Sequence, residues 1–171
     1  MMNSRIESAF NEQLNAELFS SYLYLSMAAY FESQNLKGMA GWMRMQAIEE
    51  HMHAMKFFDF INECGGRVAL AIIKEPKTEW SSPLDVFEDT CGHERKVTGL
   101  INDLVDLSLS EKDHAANTFL QWFVTEQVEE EATAQEIRDK LKLVGDNPVA
   151  LFMIDQELGQ RPTPATGQAE A

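Results

Sequence analysis

The segment Gly66-Arg-Val-Ala-Leu-Ala-Ile-Ile-Lys-Glu-Pro-Lys-Thr-Glu-Trp-Ser81 decides the fold. It separates two long stretches of helical periodicity. It follows the glycine pair Gly65-Gly66 and leads into Ser82-Pro83-x-Asp85, which supplies a cap, a proline at the first helical position and an acid in the first turn. Its run 68–73 is six apolar residues without interruption, and the one place where a short strand competes with helix. Fully extended at ~3.3 Å per residue, the segment reaches roughly 50 Å. The helix before it is roughly 40 Å long at ~1.5 Å per residue. The segment is therefore long enough to run the length of a bundle and start the next helix parallel to the last.

Outward from this crossover, the punctuation predicts five helices: α1 over 4–34, α2 over 36–64, α3 over 83–109, α4 over 111–144 and α5 over 148–158. Ser4-x-x-Glu7 reads as a capping box for α1. Ser110, followed by Glu111 and Asp113, reads as the start of α4, and Asn147-Pro148 as that of α5. Gly65-Gly66 and Gly145 read as stops, and 35–38 as a turn. Tight turns make α1/α2 and α3/α4 antiparallel pairs. The expected fold is all-α: a four-helix bundle with one long α2–α3 crossover and a short C-terminal helix, one domain over 1–160. The polar stretch 161–171 is expected to be a disordered tail.

Composition narrows the class. The chain has 171 residues, 44% hydrophobic and 25% charged, which suits one globular domain. Lys and Arg number 14 against 28 Asp and Glu, a formal charge of −14 that argues against nucleic acid and anionic membranes and favours cations as partners. No apolar stretch is long enough to span a bilayer, and the N-terminus has no basic stretch or apolar core of a secretory signal. Cys64 and Cys91 are far apart and in no pair motif, so a reducing cytoplasm is the expected location.

The heptad seams carry the chemistry. They run Phe10, Leu14, Glu17, Ser21, Tyr24, Ala28, Phe31 on α1 and Met39, Met43, Gln46, Glu50, His53, Phe57, Phe60, Cys64 on α2. On α3 the seam is Phe87, Thr90, Glu94, Val97, Ile101, Leu104, and on α4 Ala116, Leu120, Phe123, Gln127, Glu130, Ala134, Ile137, Leu141, Val144. Each is apolar at its ends and polar near its middle. Glu17, Glu50, Glu94 and Glu130, with His53 and Gln127, thus converge on one level of the core. A desolvated carboxylate costs several kcal/mol, so four unpaired ones rival the ~5–15 kcal/mol stability of a domain. No Lys or Arg lies nearby on the seams, leaving protonation, water or bound cations to compensate. Two divalent cations would cancel four charges, and oxygen-rich ligands with one imidazole suit iron or manganese. Glu50-x-x-His53 spans one helical turn. Glu111-x-x-His114 has the same spacing but lies off the seam, where capping or surface exposure accounts for it.

Glu49, Glu126 and Glu129 each precede a seam residue by one position, and either a third cation site or a solvated acidic face accounts for them. Glu131 reads as solvated. Tyr24, on the seam two turns from Glu17, is either a hydrogen-bond or electron donor to the centre or a packing residue. Trp122 reads as core packing, Met39 and Met43 as gap-fillers, and His51, His93 and His114 as surface residues.

At these positions the chain resembles the ferritins of the non-haem bacterial type. The resemblance runs from Asn3 to Gln160 and includes Asn11-Glu-Gln-Leu-Asn-Ala-Glu17-Leu-Phe-Ser-Ser-Tyr22, Glu49-Glu-His-Met-His53 and Phe119-Leu-Gln-Trp-Phe-Val-Thr-Glu-Gln-Val-Glu-Glu-Glu131. It implies a ferroxidase centre. Glu17, Glu50 and His53 would hold one iron, and Glu50, Glu94 and Glu130 a second, with Gln127 beside it. Glu49, Glu126, Glu129 and Glu130 resemble a third iron site, and Tyr24 and Trp122 match aromatic residues beside the centre. The resemblance further implies oxidation of Fe(II) by dioxygen or hydrogen peroxide, a hollow shell of 24 subunits storing ferric oxyhydroxide, and a place for α5 at a four-fold contact. Gln127-x-x-Glu130 replaces a second Glu-x-x-His, which disfavours bacterioferritin and rubrerythrin. His51 stands where bacterioferritin carries its haem methionine, so no haem is expected. The rival readings are a di-iron peroxidase or oxidant scavenger without mineral storage, and a non-catalytic partner-binding bundle.

Overall fold

A computed structural model describes residues 2–162. Its five helices are α1 Ser4–Ser33, α2 Lys37–Glu63, α3 Pro83–Ser110, α4 His114–Val144 and α5 Pro148–Leu158. The described residues contain no strand, so the run 68–73 is extended without pairing. Of the stretch 161–171, only Arg161 and Pro162 are described; the expectation of disorder for 163–171 lies outside the described residues.

The helix starts depart from the sequence reading at two places. Asn3, not Ser4, caps α1: its Oδ1 accepts from Arg5 N at 2.9 Å. Helix α4 begins at His114 rather than 111, because Lys112 has φ 55° and Asp113 takes the cap, accepting from Ala116 N at 3.0 Å. Glu111, left in the loop, accepts from Asn3 Nδ2 at 2.9 Å and pairs with Arg5, tying the α3–α4 turn to the start of α1. Ser82 and Asn147 cap α3 and α5, each followed by proline at the first helical position.

The crossover climbs along α1. Asn11 donates to Arg67 O at 3.0 Å and accepts from Ala69 N at 2.7 Å. Asn15 donates to Ile72 O at 3.3 Å, Ser26 to Lys77 O at 2.7 Å, and Trp80 packs edge-on against Tyr30. Rising numbers on both strands of contact mean that the segment runs parallel to α1 and delivers α3 beside the end of α1, parallel to α2. Helix α5 folds back onto the start of α2. There Asp155 Oδ1 accepts from Met39 N at 2.8 Å, satisfying one of the unpaired amides of that helix start. Gly38 allows the approach, since a Cβ there would lie 1.6 Å from Asp155 O.

The interior has two apolar clusters. One holds Tyr24, Phe31, Met39, Met43, Phe87 and Leu141, with Ile154 and Leu158 of α5. The other holds Phe10, Leu14, Phe57, Ile101, Leu120 and Phe123. The polar level of the four seams lies between them.

Candidate metal centre

Glu17, Glu50, Glu94 and Glu130 are 1%, 1%, 0% and 7% exposed. Helical spacing places each on a seam flanked above and below by buried apolar residues: Glu17 by Leu14 and Tyr24, Glu50 by Met43 and Phe57, Glu94 by Phe87 and Val97, Glu130 by Phe123 and Ile137. Packing of the flanking clusters therefore drives the acids inward.

Three amides steady three of the four. Gln13 Nε2 donates to Glu17 Oε1 at 2.8 Å, Gln46 Nε2 to Glu130 Oε2 at 2.8 Å, and Gln127 Nε2 to Glu94 Oε2 at 3.2 Å. The buried Tyr24 hydroxyl also donates to Glu94 Oε1. Glu50 has no such amide. Its Oε2 lies 3.3 Å from His53 Nδ1. Glu17, Glu50 and His53 each bring a ligating atom to within 4.8 Å of the others, the one such buried group among the described residues. Glu17 Oε2 and Glu50 Oε2 are buried with no hydrogen-bond partner. Two orphaned acceptors beside an imidazole form a donor set for a cation, and unmet acceptors of this kind cost ~1–3 kcal/mol each, more when charged.

The electrostatics express the same strain. Burial, followed by the negative charge of Glu50, pushes the Glu17 carboxyl well above its ordinary value. Burial and then Glu94 do the same to Glu50. Burial raises Glu94, against the hydrogen bonds from Tyr24 and Gln127. Glu130 is pushed up to about 7 by burial and the charge of Glu94. Tyr24 is held well above the usual phenol range by burial and by Glu94. With no positive charge among them, the acids hold protons more tightly; a divalent cation would release those protons and take their place.

The flanking residues separate. Glu49 is half-buried and pairs with Arg161, Glu126 is half-buried, and Glu129 is exposed; none joins the Glu17–Glu50–His53 group. Trp122 departs from the core-packing expectation: it is 41% exposed, standing edge-on to His53 at 5.3 Å with Lys56 Nζ 4.2 Å above its ring. His93 departs from the surface expectation. It is half-buried, within 2.8 Å of Ser20 Oγ and edge-on to Tyr24, and burial lowers it to about 4. Glu131 is not free in solvent, since Thr98 Oγ1 donates to it at 2.5 Å. His51 and His114 are exposed.

Gln13, Gln46, Thr98 and Arg161 are site neighbours that sequence reasoning did not single out. Gln13 and Gln46 stand four residues before Glu17 and Glu50, a spacing that puts each pair on one helix face and was a usable signal. Arg161 is distant in sequence from every acid it meets and left no signal.

Helices, crossover and an inward-facing acid layer together define a class, the ferritin-like four-helix bundles. The chain belongs to the Ferritin-like domain family, which matches residues 7–144. Within it, the chain is 48% identical over 161 residues to the bacterial non-heme ferritin of Bacteroides fragilis (strain 638R), covering 94% of this chain and 100% of the relative. It is 39% identical to a probable bacterial non-heme ferritin-like protein of Haemophilus influenzae, covering 96% and 100%. Its structure superposes with a TM-score of 0.94 on a novel open pore ferritin from the hyperthermophilic archaeon Archaeoglobus fulgidus, at 52% identity over 95% of this chain and 100% of that one.

Proposed function

We propose that this chain is an iron-storage ferritin subunit that oxidises Fe(II) at the buried acid layer and assembles into a hollow 24-subunit shell. The reading rests above all on the orphaned oxygens of Glu17 and Glu50 facing His53 in a dry interior, an arrangement that a metal ion completes. Family membership and the relatives named ferritins support it.

Fe(II) is the substrate. Glu17, Glu50 and His53 bind one ion; Glu50 also reaches toward the second, held by Glu94 and Glu130 with Gln127 beside it. Two neighbouring ions let one oxidant take two electrons together. Two Fe(II), one dioxygen and two protons yield two Fe(III) and hydrogen peroxide; with hydrogen peroxide as oxidant, two Fe(II) and two protons yield two Fe(III) and two waters. The protein positions the ions and supplies negative charge, which favours the more highly charged ferric product. Protons displaced from the raised carboxyls lie next to the oxidant that consumes them. Gln13, Gln46 and Gln127 fix the free lone pairs of their glutamates toward the ions. Tyr24 holds Glu94 through its hydroxyl and is available as an electron donor. Glu49, Glu126 and Glu129, with Glu130, form an outer third position through which Fe(III) passes toward the cavity. The reaction takes place in the cytoplasm.

Aerobic Fe(II) loading, followed by sizing and electron microscopy, tests the whole. The expected result is a large shell with an electron-dense mineral core. A small oligomer that consumes peroxide and retains no mineral would favour the oxidant scavenger instead. Anaerobic Fe(II) titration with no saturable binding near two or three ions per chain would leave only a non-catalytic bundle.

A further inference from the structure

The outer acid Glu49 is paired with a cation that comes from beyond the last helix. Arg161 Nη1 donates to Gln46 Oε1 at 2.5 Å, and Nη2 donates to Glu49 Oε2 at 2.5 Å. Its guanidinium carbon lies 4.8 Å above the ring of Trp42. Trp42, Gln46 and Glu49 stand at i, i+4 and i+7 on α2, so they form one stripe along that helix. Arg161 lies along this stripe.

Its position is set by the fold. Arg161 N donates to Leu158 O, continuing the end of α5. Helix α5 is pinned to the start of α2 by Asp155 and Gly38. The planar fork then satisfies three demands together: a carboxylate, an amide oxygen and an aromatic face, which an ammonium group meets poorly. The grip also orients Gln46. With its oxygen held by Arg161, the Gln46 amide nitrogen must face Glu130, to which it donates at 2.8 Å.

We propose that Arg161 is a tethered cation that occupies the outer acidic position at Glu49 and sets how tightly a third metal ion binds there. The proposal rests on the reading of Glu49 as part of an outer cation position. A divalent ion recruited to Glu49 must displace the guanidinium. Guanidinium does not deprotonate in proteins, so displacement is by competition. Arg161 is thus a positioning residue, acting through Glu49 and Gln46 rather than on the reacting ions.

Anaerobic Fe(II) titration by calorimetry, on the assembled protein, tests it. Wild type is expected to show a tight class of sites and a weaker one. Arg161→Ala should tighten the weaker class about threefold to tenfold, the size of a partly exposed charge-assisted pair. Arg161→Lys should fall between the two, since it keeps the charge and loses the fork. In a Glu49→Gln background, Arg161→Ala should have no effect on that class. Equal weak-site affinity in wild type and Arg161→Ala, an Arg161→Lys variant as tight as Arg161→Ala, or an effect that persists without Glu49 would each overturn the proposal while leaving the paired site standing. Absence of saturable binding in wild type would take down both readings.

Discussion

At the scale of single residues, Glu50 is the point on which the centre turns. It faces His53 on its own helix, feels Glu17 across the α1–α2 interface and is charge-coupled to Glu94 and Glu130. Removing its carboxylate takes away the group that both ions would share. Glu50→Ala or His53→Ala should slow the fast phase of Fe(II) oxidation at least about 100-fold in stopped-flow absorbance, with helix content unchanged by circular dichroism; oxidation at the wild-type rate in either variant would refute the paired-site mechanism. The same residues predict an unusual pH dependence. Their carboxyls are raised in the folded state, Glu130 from 4.5 to about 7. Between those values the folded chain binds protons that the unfolded chain has released, so this contribution to stability is present at low pH and lost as pH rises through about 7. His93, lowered from 6.5 to about 4, acts oppositely and offsets part of this loss as pH rises through 6.5. Chelator-treated protein should therefore unfold at lower urea at pH 8 than at pH 6, and added divalent metal should close the gap. A metal-free protein equally stable at both values would show that the acids are not desolvated.

At the scale of elements, two small contacts decide how the helices are arranged. Gly38 lets α5 lie against α2, and any side chain there collides with backbone rather than with a movable group. Gly38→Ala should displace α5 and remove the Asp155 cap, lowering stability by about 2–4 kcal/mol in urea unfolding; a loss smaller than ~0.5 kcal/mol would mean that α5 is not held at this point. Asn11 fastens the start of the crossover with two hydrogen bonds to backbone, at Arg67 and Ala69. Asn11→Ala should cost about 1–2 kcal/mol and increase hydrogen exchange within residues 67–72 first.

At the scale of the whole molecule, α5 presents apolar side chains that nothing in the single chain covers. Val149, Phe152 and Met153 are 68%, 62% and 67% exposed, and Phe152 and Met153 line one apolar groove with the 87% exposed Leu143. A patch of this kind marks an association surface. Phe152→Asp together with Met153→Asp should leave the subunit folded and yield smaller particles by light scattering. Particles of unchanged size would locate the stabilising contacts elsewhere.

The sequence alone determined the helices, their pairing and the level at which acids enter the core, because heptad spacing dictates which side chains face inward and a crossover of known length admits few topologies. Glu17, Glu50, His53, Glu94, Gln127 and Glu130 were legible for that reason, since each sits on a seam that apolar neighbours pull into the interior. Periodicity is silent about partners far along the chain. Only the tertiary structure decided that Tyr24 serves Glu94, that His93 turns inward against Ser20, that Trp122 stays at the surface, and that Arg161 returns across more than a hundred residues to Glu49. Such contacts depend on how rigid helices dock and where a terminus is carried, which the local pattern of side chains does not encode.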